Sequence, residues 1–481
     1  MERSKRPERS RGGASSTLPT LAPFVERGPE VEGALVRERA GELFSREFLH
    51  SIVGPVQGSF RDRLLTIEVL LLAVLDFVVR RLPAFLQVVD RLGSGLVGGV
   101  QAVEITAAAL YKRLRVVPHT LFLELLRQTT RSLAAGQTHV RGWVRELAPF
   151  ATAIYALDDT TLDVLMRRTK ALQRHRKGAM ETLAGRLGCA LDLVTGKFAE
   201  VLYDPDSKAN EKTHARPLIE RLGAGALYVF DLGYFAYPFF DYLSEHFCYF
   251  VTRLRKKVSY DVVAVLADGR YYRDRLVWLG KYRADRTAHP VRLVELLIGG
   301  TWYRYLTNVW EPRLLGAPQI WALYAQRWTI EMSFAAVKRA LGLAYLRLTH
   351  ANGVLIQIWA TLAVYQILQD LRLEIAAETG WQEDDVSWEM LMRRIGWYAE
   401  RPPANMTLRG WLVTQAHRLN LRKRGVRARR LTQLPAEVLA ACQPPPPLPS
   451  LPDLLEREAR QGDQGRRCRP RRARTIMAGL S

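Results

Sequence analysis

Two aspartates that each follow a short apolar run, and one glutamate in a helical stretch, are the groups best suited to chemistry here. Asp158 follows residues 151–157 (ATAIYAL) and precedes Asp159-Thr160-Thr161. Asp231 follows ALYVF at 226–230, a fully apolar run too short for a helix and suited to a central parallel strand. Open α/β sheets gather their working groups at strand ends. Glu331 lies in 318–343, whose spacing predicts one helix. At about 100° per residue, with Tyr324 at zero, Arg327 falls near 300°, Glu331 near 340° and Lys338 near 320°, within a sector of roughly 60°. Leu323, Ile330, Phe334, Val337 and Leu341 group at about 220–280° and form the core-facing stripe. On spacing alone, a solvated face with an Arg327–Glu331 salt bridge at i,i+4 explains the polar stripe better than an active site does. The two strand-end aspartates tip the balance to an active site. Three carboxylates from separate segments suit hard divalent cations such as Mg²⁺, which take oxygen ligands. Two such ions about 3.5–4 Å apart support in-line phosphoryl displacement.

The elements that must position these acids form an ordered series. Residues 185–193 and 197–203 read as strands around Val194-Thr195-Gly196. A helix over 210–222, the strand 226–230, a helix over 234–246 and a strand over 247–252 follow. Three meander strands and then helix-alternating strands match an RNase H-like core. The expected fold class is therefore α/β: an RNase H-like catalytic core interrupted by a β-rich insertion, with a helical N-terminal domain and a helical C-terminal region. The expected boundaries are a loose basic N-terminus at 1–40, a helical DNA-binding domain at 41–148, a first core segment at 149–252, the insertion at 253–316 and a second core segment at 317–373. A helical region at 374–440 and a Pro/Arg-rich disordered tail at 441–481 complete the chain. Within 41–148, helices at 103–114 and 119–132 around Pro118 fit a DNA-binding helix-turn-helix, and equally any helical hairpin. Lys112, Arg113 and Arg115 favour the former.

The chain has 481 residues, with 70 Lys+Arg against 48 Asp+Glu and a formal net charge of +22. That excess points to a polyanion, nucleic acid before anionic membrane. Cys189, Cys248, Cys442 and Cys468 form no CxxC pair and no zinc-spaced cluster. The charged N-terminus has no apolar core of a secretory signal. The apolar stretches 64–79 and 353–371 are interrupted by polar residues and read as buried helices rather than membrane spans. A soluble cytoplasmic protein without membrane partner or small-molecule cofactor is expected.

The order Tyr324-x-x-Arg327-x-x-x-Glu331-x-x-x-x-x-x-Lys338 resembles the Tyr-Arg-Glu-Lys signature of DDE transposases of the insertion sequence four family. Asp158-x-Thr160-Thr161-Leu162 resembles that family's first-aspartate motif, and Asp231-Leu-Gly-Tyr-Phe its second, with Leu232 where Arg is usual. The resemblance spans about 40–375. It implies a metal-dependent enzyme that cleaves and joins DNA, with Asp158, Asp231 and Glu331 as catalytic metal ligands. It further implies two Mg²⁺ ions, with Mn²⁺ able to substitute. Tyr324, Arg327 and Lys338 would contact DNA phosphates. The partners it implies are double-stranded DNA, as inverted terminal repeats and target, and a second copy in a homodimeric synaptic complex. Asp159 rivals Asp158 as the first ligand. Arg253, Arg255 and Lys256 follow a strand and fit a DNA channel or a solvated charge run, and Arg422, Lys423, Arg424, Arg427, Arg429 and Arg430 fit phosphates or solubility. Trp278 and Trp302 fit packing better than base capture. A structure-selective RNase H-like nuclease and a non-enzymatic DNA-binding descendant are the alternatives.

Overall fold

The structure is a computed structural model that describes residues 52, 65–97, 100–136, 138–162, 185–282, 286–348, 350–400, 403, 406–423 and 434–442. The expectations for 1–40, for the tail beyond 442 and for 424–430 of the basic run lie outside the described residues.

In chain order the helices are α1 (Ile67–Val79), α2 (Gln87–Gly93), α3 (Ala107–Val116), α4 (Thr120–Ala135) and α5 (Gly142–Glu146). The strands β1 (Ile154–Thr161), β2 (Arg186–Asp192) and β3 (Phe198–Asp204) follow, then α6 (Glu211–Leu222), β4 (Leu227–Phe230), α7 (Tyr237–Glu245) and β5 (Tyr249–Arg253). Next come β6 (Tyr260–Asp268), β7 (Tyr272–Leu279), β8 (Val291–Ile298) and β9 (Thr301–Thr307). The last helices are α8 (Ala317–Gln326), α9 (Trp328–Ala335), α10 (Ala351–Thr379), α11 (Trp388–Glu400), α12 (Leu408–Thr414) and α13 (Ala436–Ala441).

The nine strands among the described residues form one sheet in the order β3-β2-β1-β4-β5-β9-β8-β7-β6. β1, β2 and β3 are an antiparallel meander, and β4 and β5 run parallel to β1. β4 is buried at all four positions because helices cover both faces of the sheet, as its apolar run requires. The period of two sorts the strand residues between two cores. Leu157, Ala190, Tyr228, Phe230 and Phe250 face one side, with Ala215, Leu218 and Ile219 of α6 and Phe239, Phe240 and Leu243 of α7. Ile154, Ala156, Cys189, Leu191, Val229 and Val251 face the other, where α1, α4, α8, α9 and α10 pack.

Residues 260–307 are β-rich, as the sequence indicates, but they are hydrogen-bonded onto the core sheet rather than set apart. β9 pairs antiparallel with β5, placing Thr252 opposite Leu306. Arg292, fully buried in β8, bonds Asp274 of β7 at 2.6–3.0 Å and donates to Leu315 O at 2.7 Å, tying these strands to the lead-in of α8. Two expected boundaries consequently fall inside elements. The 252/253 border lies within β5, and 373/374 lies within α10, a 29-residue helix.

α10 is long and apolar enough to cross a bilayer, yet it is mostly buried inside the protein. Its polar side chains answer protein groups. Gln366 bonds Phe198 N and O at 3.1 and 2.6 Å, and Asp370 pairs with Lys197 at 2.8 Å. The two helices of the expected helix-turn-helix are α3 and α4, but α4 buries Leu121, Phe122, Leu125, Leu126, Thr129 and Leu133. Its apolar stripe is thus committed to packing; Thr130 also bonds Gln366 of α10 at 2.8 Å.

Glu383, in the short turn after α10, closes the buried polar seam. It receives Arg141, Arg372 and Gln369, while Arg141 and Arg372 also donate to backbone oxygens of Leu193, Val386 and Glu383 itself. Burial opposes ionisation, but the two guanidiniums win and hold this carboxyl well below its usual range. A carboxylate depressed in the folded state contributes stability above its ordinary value of 4.5, and that contribution is lost as pH falls below it. Glu383→Gln should lower stability at neutral pH by about 3–5 kcal/mol, because it strands two buried cations. It should also flatten the loss of stability below about pH 4.5. Urea unfolding followed at several pH values checks both.

Candidate active site

The acids are placed by strand register. The parallel ladder between β1 and β4 ends at Leu157 opposite Phe230. The next residue on each strand is an aspartate, Asp158 and Asp231. Unlike the sequence expectation, Asp158 and Asp159 lie within β1 rather than beyond it. β2 continues to pair on the opposite edge, with Asp158 across from Cys189 and Asp159 across from Gly188.

The expected single helix over 318–343 is three pieces. α8 ends at Gln326, and i→i−3 bonds from Arg327 N to Tyr324 O and from Ile330 N to Arg327 O tighten the join to α9. A π-turn over Ala336–Ala340 follows, closed by Leu341 N to Ala336 O at 3.1 Å. It shifts Lys338 from its place on an ideal wheel, and Lys338 Nζ donates to Thr161 O at the end of β1 at 2.5 Å.

Arg327 joins the carboxylates. Its Nη1 lies 2.8 Å from Glu331 Oε1 and 3.9 Å from Asp158 Oδ2. Burial pushes the Asp158 carboxyl up to about 7; the Asp159 amide bond opposes this, Asp231 adds to it, Arg327 again opposes and Glu331 adds. Asp158 therefore feels the charge of both other acids. Asp231 Oδ1 accepts from Gly233 N at 2.7 Å. A Cβ at Gly233 would meet a carboxylate oxygen of Glu211, which would have to swing aside. Tyr324 faces Arg327 and Arg253, whose guanidiniums lie 5.9 and 6.0 Å from its ring centre. Arg255 donates to Leu232 O at 3.2 Å, next to Asp231. Lys256 is exposed, and among the described residues no contact ties it to the acids. Trp278 and Trp302 lie under Arg286 and Arg273, outside the acid cleft. That cleft, about 690 Å³, is lined by Asp158, Glu331, Phe334, Lys338, Arg339 and Tyr345 among others.

Among the described residues, no three Asp, Glu, His or Cys side chains are spaced to close around one metal ion. The donor set is nonetheless all oxygen, which suits a hard cation. The Arg327 guanidinium stands among the acids as the positive charge they require.

Asp159 points to the opposite face, as its neighbouring position on a strand demands. Its side chain is fully buried, accepting from Tyr234 OH at 2.6 Å and sharing a 2.5 Å bond with His214 Nδ1, with Arg186 Nε 3.3 Å away. His214 also meets Asp204 at 3.1 Å, and Arg186 pairs with Glu211 at 2.8 Å. Gly188 makes room for the imidazole, which a Cβ would approach to 2.6–2.9 Å. Residue type and spacing single out none of His214, Arg186 or Glu211, and Tyr234 enters only as part of the Asp231-Leu-Gly-Tyr-Phe motif. The available signal is His214 on the same helical stripe as Leu218, since a histidine on a buried face needs a partner.

Residues 149–367 match the family described as Transposase DDE domain. This segment is similar to that family. The chain is 29% identical over 193 residues to "Putative transposase y4zB" of Sinorhizobium fredii, covering 37% of this chain and 53% of that protein. It is 23% identical over 203 residues to "Transposase InsG for insertion sequence element IS4" of Escherichia coli, covering 40% and 45%. These bear out the resemblance to DDE transposases of the insertion sequence four type. The chain spans about half the length of the curated relatives it matches. A piggyBac transposase synaptic complex with hairpin DNA shows a loose likeness, at TM-score 0.38 and 11% identity over 82% of this chain and 85% of that one. The matched segment contains Asp158, Asp231 and Glu331, together with the Asp159 network behind them.

Protonation of His214 is favoured first by its bond to Asp159, against burial. A histidine raised in the folded state contributes stability below its ordinary value of 6.5, lost as pH rises through the folded value. His214→Ala should cost about 1–3 kcal/mol at pH near 6 and less in mild alkali, as read by urea unfolding at each pH.

Proposed function

We propose that this chain is a cut-and-paste DNA transposase whose metal ligands are Asp158, Asp231 and Glu331. The observation that carries this is the parallel register ending at Leu157 and Phe230, which sets the two aspartates side by side across from Glu331. The strand order β3-β2-β1-β4-β5, with an antiparallel meander followed by two parallel strands, supports an RNase H-like core within the larger sheet. Asp158 is favoured over Asp159 because the Asp159 side chain is fully buried and engaged by His214, Tyr234 and Arg186.

Asp158, Asp231 and Glu331 would hold two divalent ions, Mg²⁺ or Mn²⁺. Such ions supply a nucleophile at neutral pH and neutralise charge on the attacking and leaving oxygens. The remaining work falls to this chain's own groups. Arg327 offers a planar fork to a phosphate and Lys338 a compact point charge, so the two are not interchangeable. Arg327 also pairs with Glu331 and lies near Asp158, which restrains both carboxylates. Tyr324, packed beside Tyr305 and the arginines, presents a half-buried hydroxyl to the strand near the scissile phosphate. Arg253 and Arg255, at the end of β5, extend the positive rim, whereas Lys256 acts only through general charge. A water, and then the freed 3′-hydroxyl, would attack phosphorus in line, while the leaving oxygen departs on the opposite side. The substrate is double-stranded DNA, as inverted terminal repeats and target, bound by a homodimer. The net charge of +22 supports a polyanionic partner.

Asp158→Ala, Asp231→Ala and Glu331→Ala should each reduce Mg²⁺-dependent cleavage of a terminal-repeat duplex by at least about 1000-fold, the kinetic weight of several kcal/mol. Asp159→Asn should leave measurable cleavage while lowering the unfolding midpoint. Wild-type rates from Asp158→Ala would overturn the assignment. Cleavage of RNA–DNA hybrids with no strand joining would replace transposition by a nuclease function.

A further inference from the structure

Behind the acid cleft lies a second one, of about 330 Å³, which shares Arg339 and Tyr345 with the first. Its walls come from the end of α1, the π-turn and the buried middle of α10. Among the described residues, four arginines line it, Arg80, Arg81, Arg339 and Arg347, and no carboxylate does. Arg80 pairs with Asp76 at 3.0 Å. Among the described residues, neither Arg81 nor Arg339 is ion-paired with a carboxylate. Arg347 lies 5.2 Å from the centre of the Tyr345 ring, and Tyr345 is 51% exposed. The floor is Gln357 and Thr361, both buried. Gln357 is satisfied by Arg347 N and Tyr345 O, so the floor holds the arginine-bearing loop in place.

Arg81 supplies an independent observation. Arg80 caps α1, and Arg81 follows in the left-handed region at φ 51°. Arg81 N bonds Val78 O and Leu82 N bonds Phe77 O, both at 3.1 Å, which is the paired-bond helix ending that normally takes glycine or asparagine. An arginine here bears backbone strain that glycine would not. Its guanidinium reaches across to Ala340 O on the π-turn at 3.4 Å, at the rim of the cleft. Strain of this kind persists where the side chain is put to use.

We infer that this cleft binds backbone phosphate of the DNA strand running past the acids, through Arg81, Arg339 and Arg347, with a base against Tyr345. Arginine forks match phosphate oxygens, and an exposed tyrosine face stacks any base. The shared Arg339–Tyr345 wall lets one strand occupy both clefts. The inference rests on the transposase function proposed above.

The test uses the full chain without metal and a terminal-repeat duplex, with binding followed by fluorescence anisotropy across a salt series. Arg81→Gly should bind about 10-fold more weakly, and the slope of log affinity against log salt should fall by about 1. Its thermal midpoint should stay the same or rise, because glycine suits the left-handed backbone. Arg347→Ala should weaken binding similarly. If the wild-type chain binds and cleaves while both variants bind with wild-type affinity and slope, the cleft inference falls and the transposase function stands. If the wild-type chain neither binds nor cleaves any terminal repeat, both fall. If millimolar inorganic phosphate raises the wild-type midpoint but not that of Arg81→Gly, with DNA affinity equal in both, the cleft takes free phosphate and the inference is overturned.

Discussion

Like charge brought close together is the constraint around which this protein is arranged. Asp158 and Asp231 each follow the last pair of a parallel ladder, and Glu331 approaches from α9. Carboxylates so placed repel, and partial burial removes the water that would dampen the repulsion. Only a rigid scaffold keeps them there. β4, buried at every position and wedged between two parallel neighbours, provides that rigidity. Arg327 supplies the compensating charge from the join between α8 and α9.

The strand period then divides two adjacent aspartates between opposite tasks. Asp158 turns toward the cleft. Asp159, one residue on, turns inward and gathers His214, Tyr234 and Arg186, which bind β1 to α6 and to the turn after β4. The Asp159 amide donates to Asp158 Oδ1 at 2.8 Å, so the inner network also sets the backbone that orients the outer acid. A buried charge is tolerated only when several partners answer it, and Asp159 has three.

Much of this was legible in sequence because it follows from short-range pattern. The apolar run 226–230 could be nothing but a buried strand, and the β-rich rhythm of 253–316 was visible in its alternation and glycines. The acids were legible because their motifs combine residue type with spacing. What was hidden depends on pairing across the chain. The extension of β1 through Thr161 follows from β2, not from local propensity. The π-turn at 336–340 breaks a helical wheel that assumes constant pitch. The role of His214 required knowing that α6 lies under Asp159. The junction of β9 with β5 required a register that no local signal encodes.

That junction has a mechanical consequence. Because β5 and β9 share backbone hydrogen bonds and Arg292 ties β7 and β8 to the lead-in of α8, β6 to β9 are braced to the part of the sheet that holds the acids. A load applied at the outer edge, on β6, is carried through successive ladders before it reaches β4. The outer strands are thereby stiffened together with the acid-bearing strands into one plate rather than joined to them by a hinge.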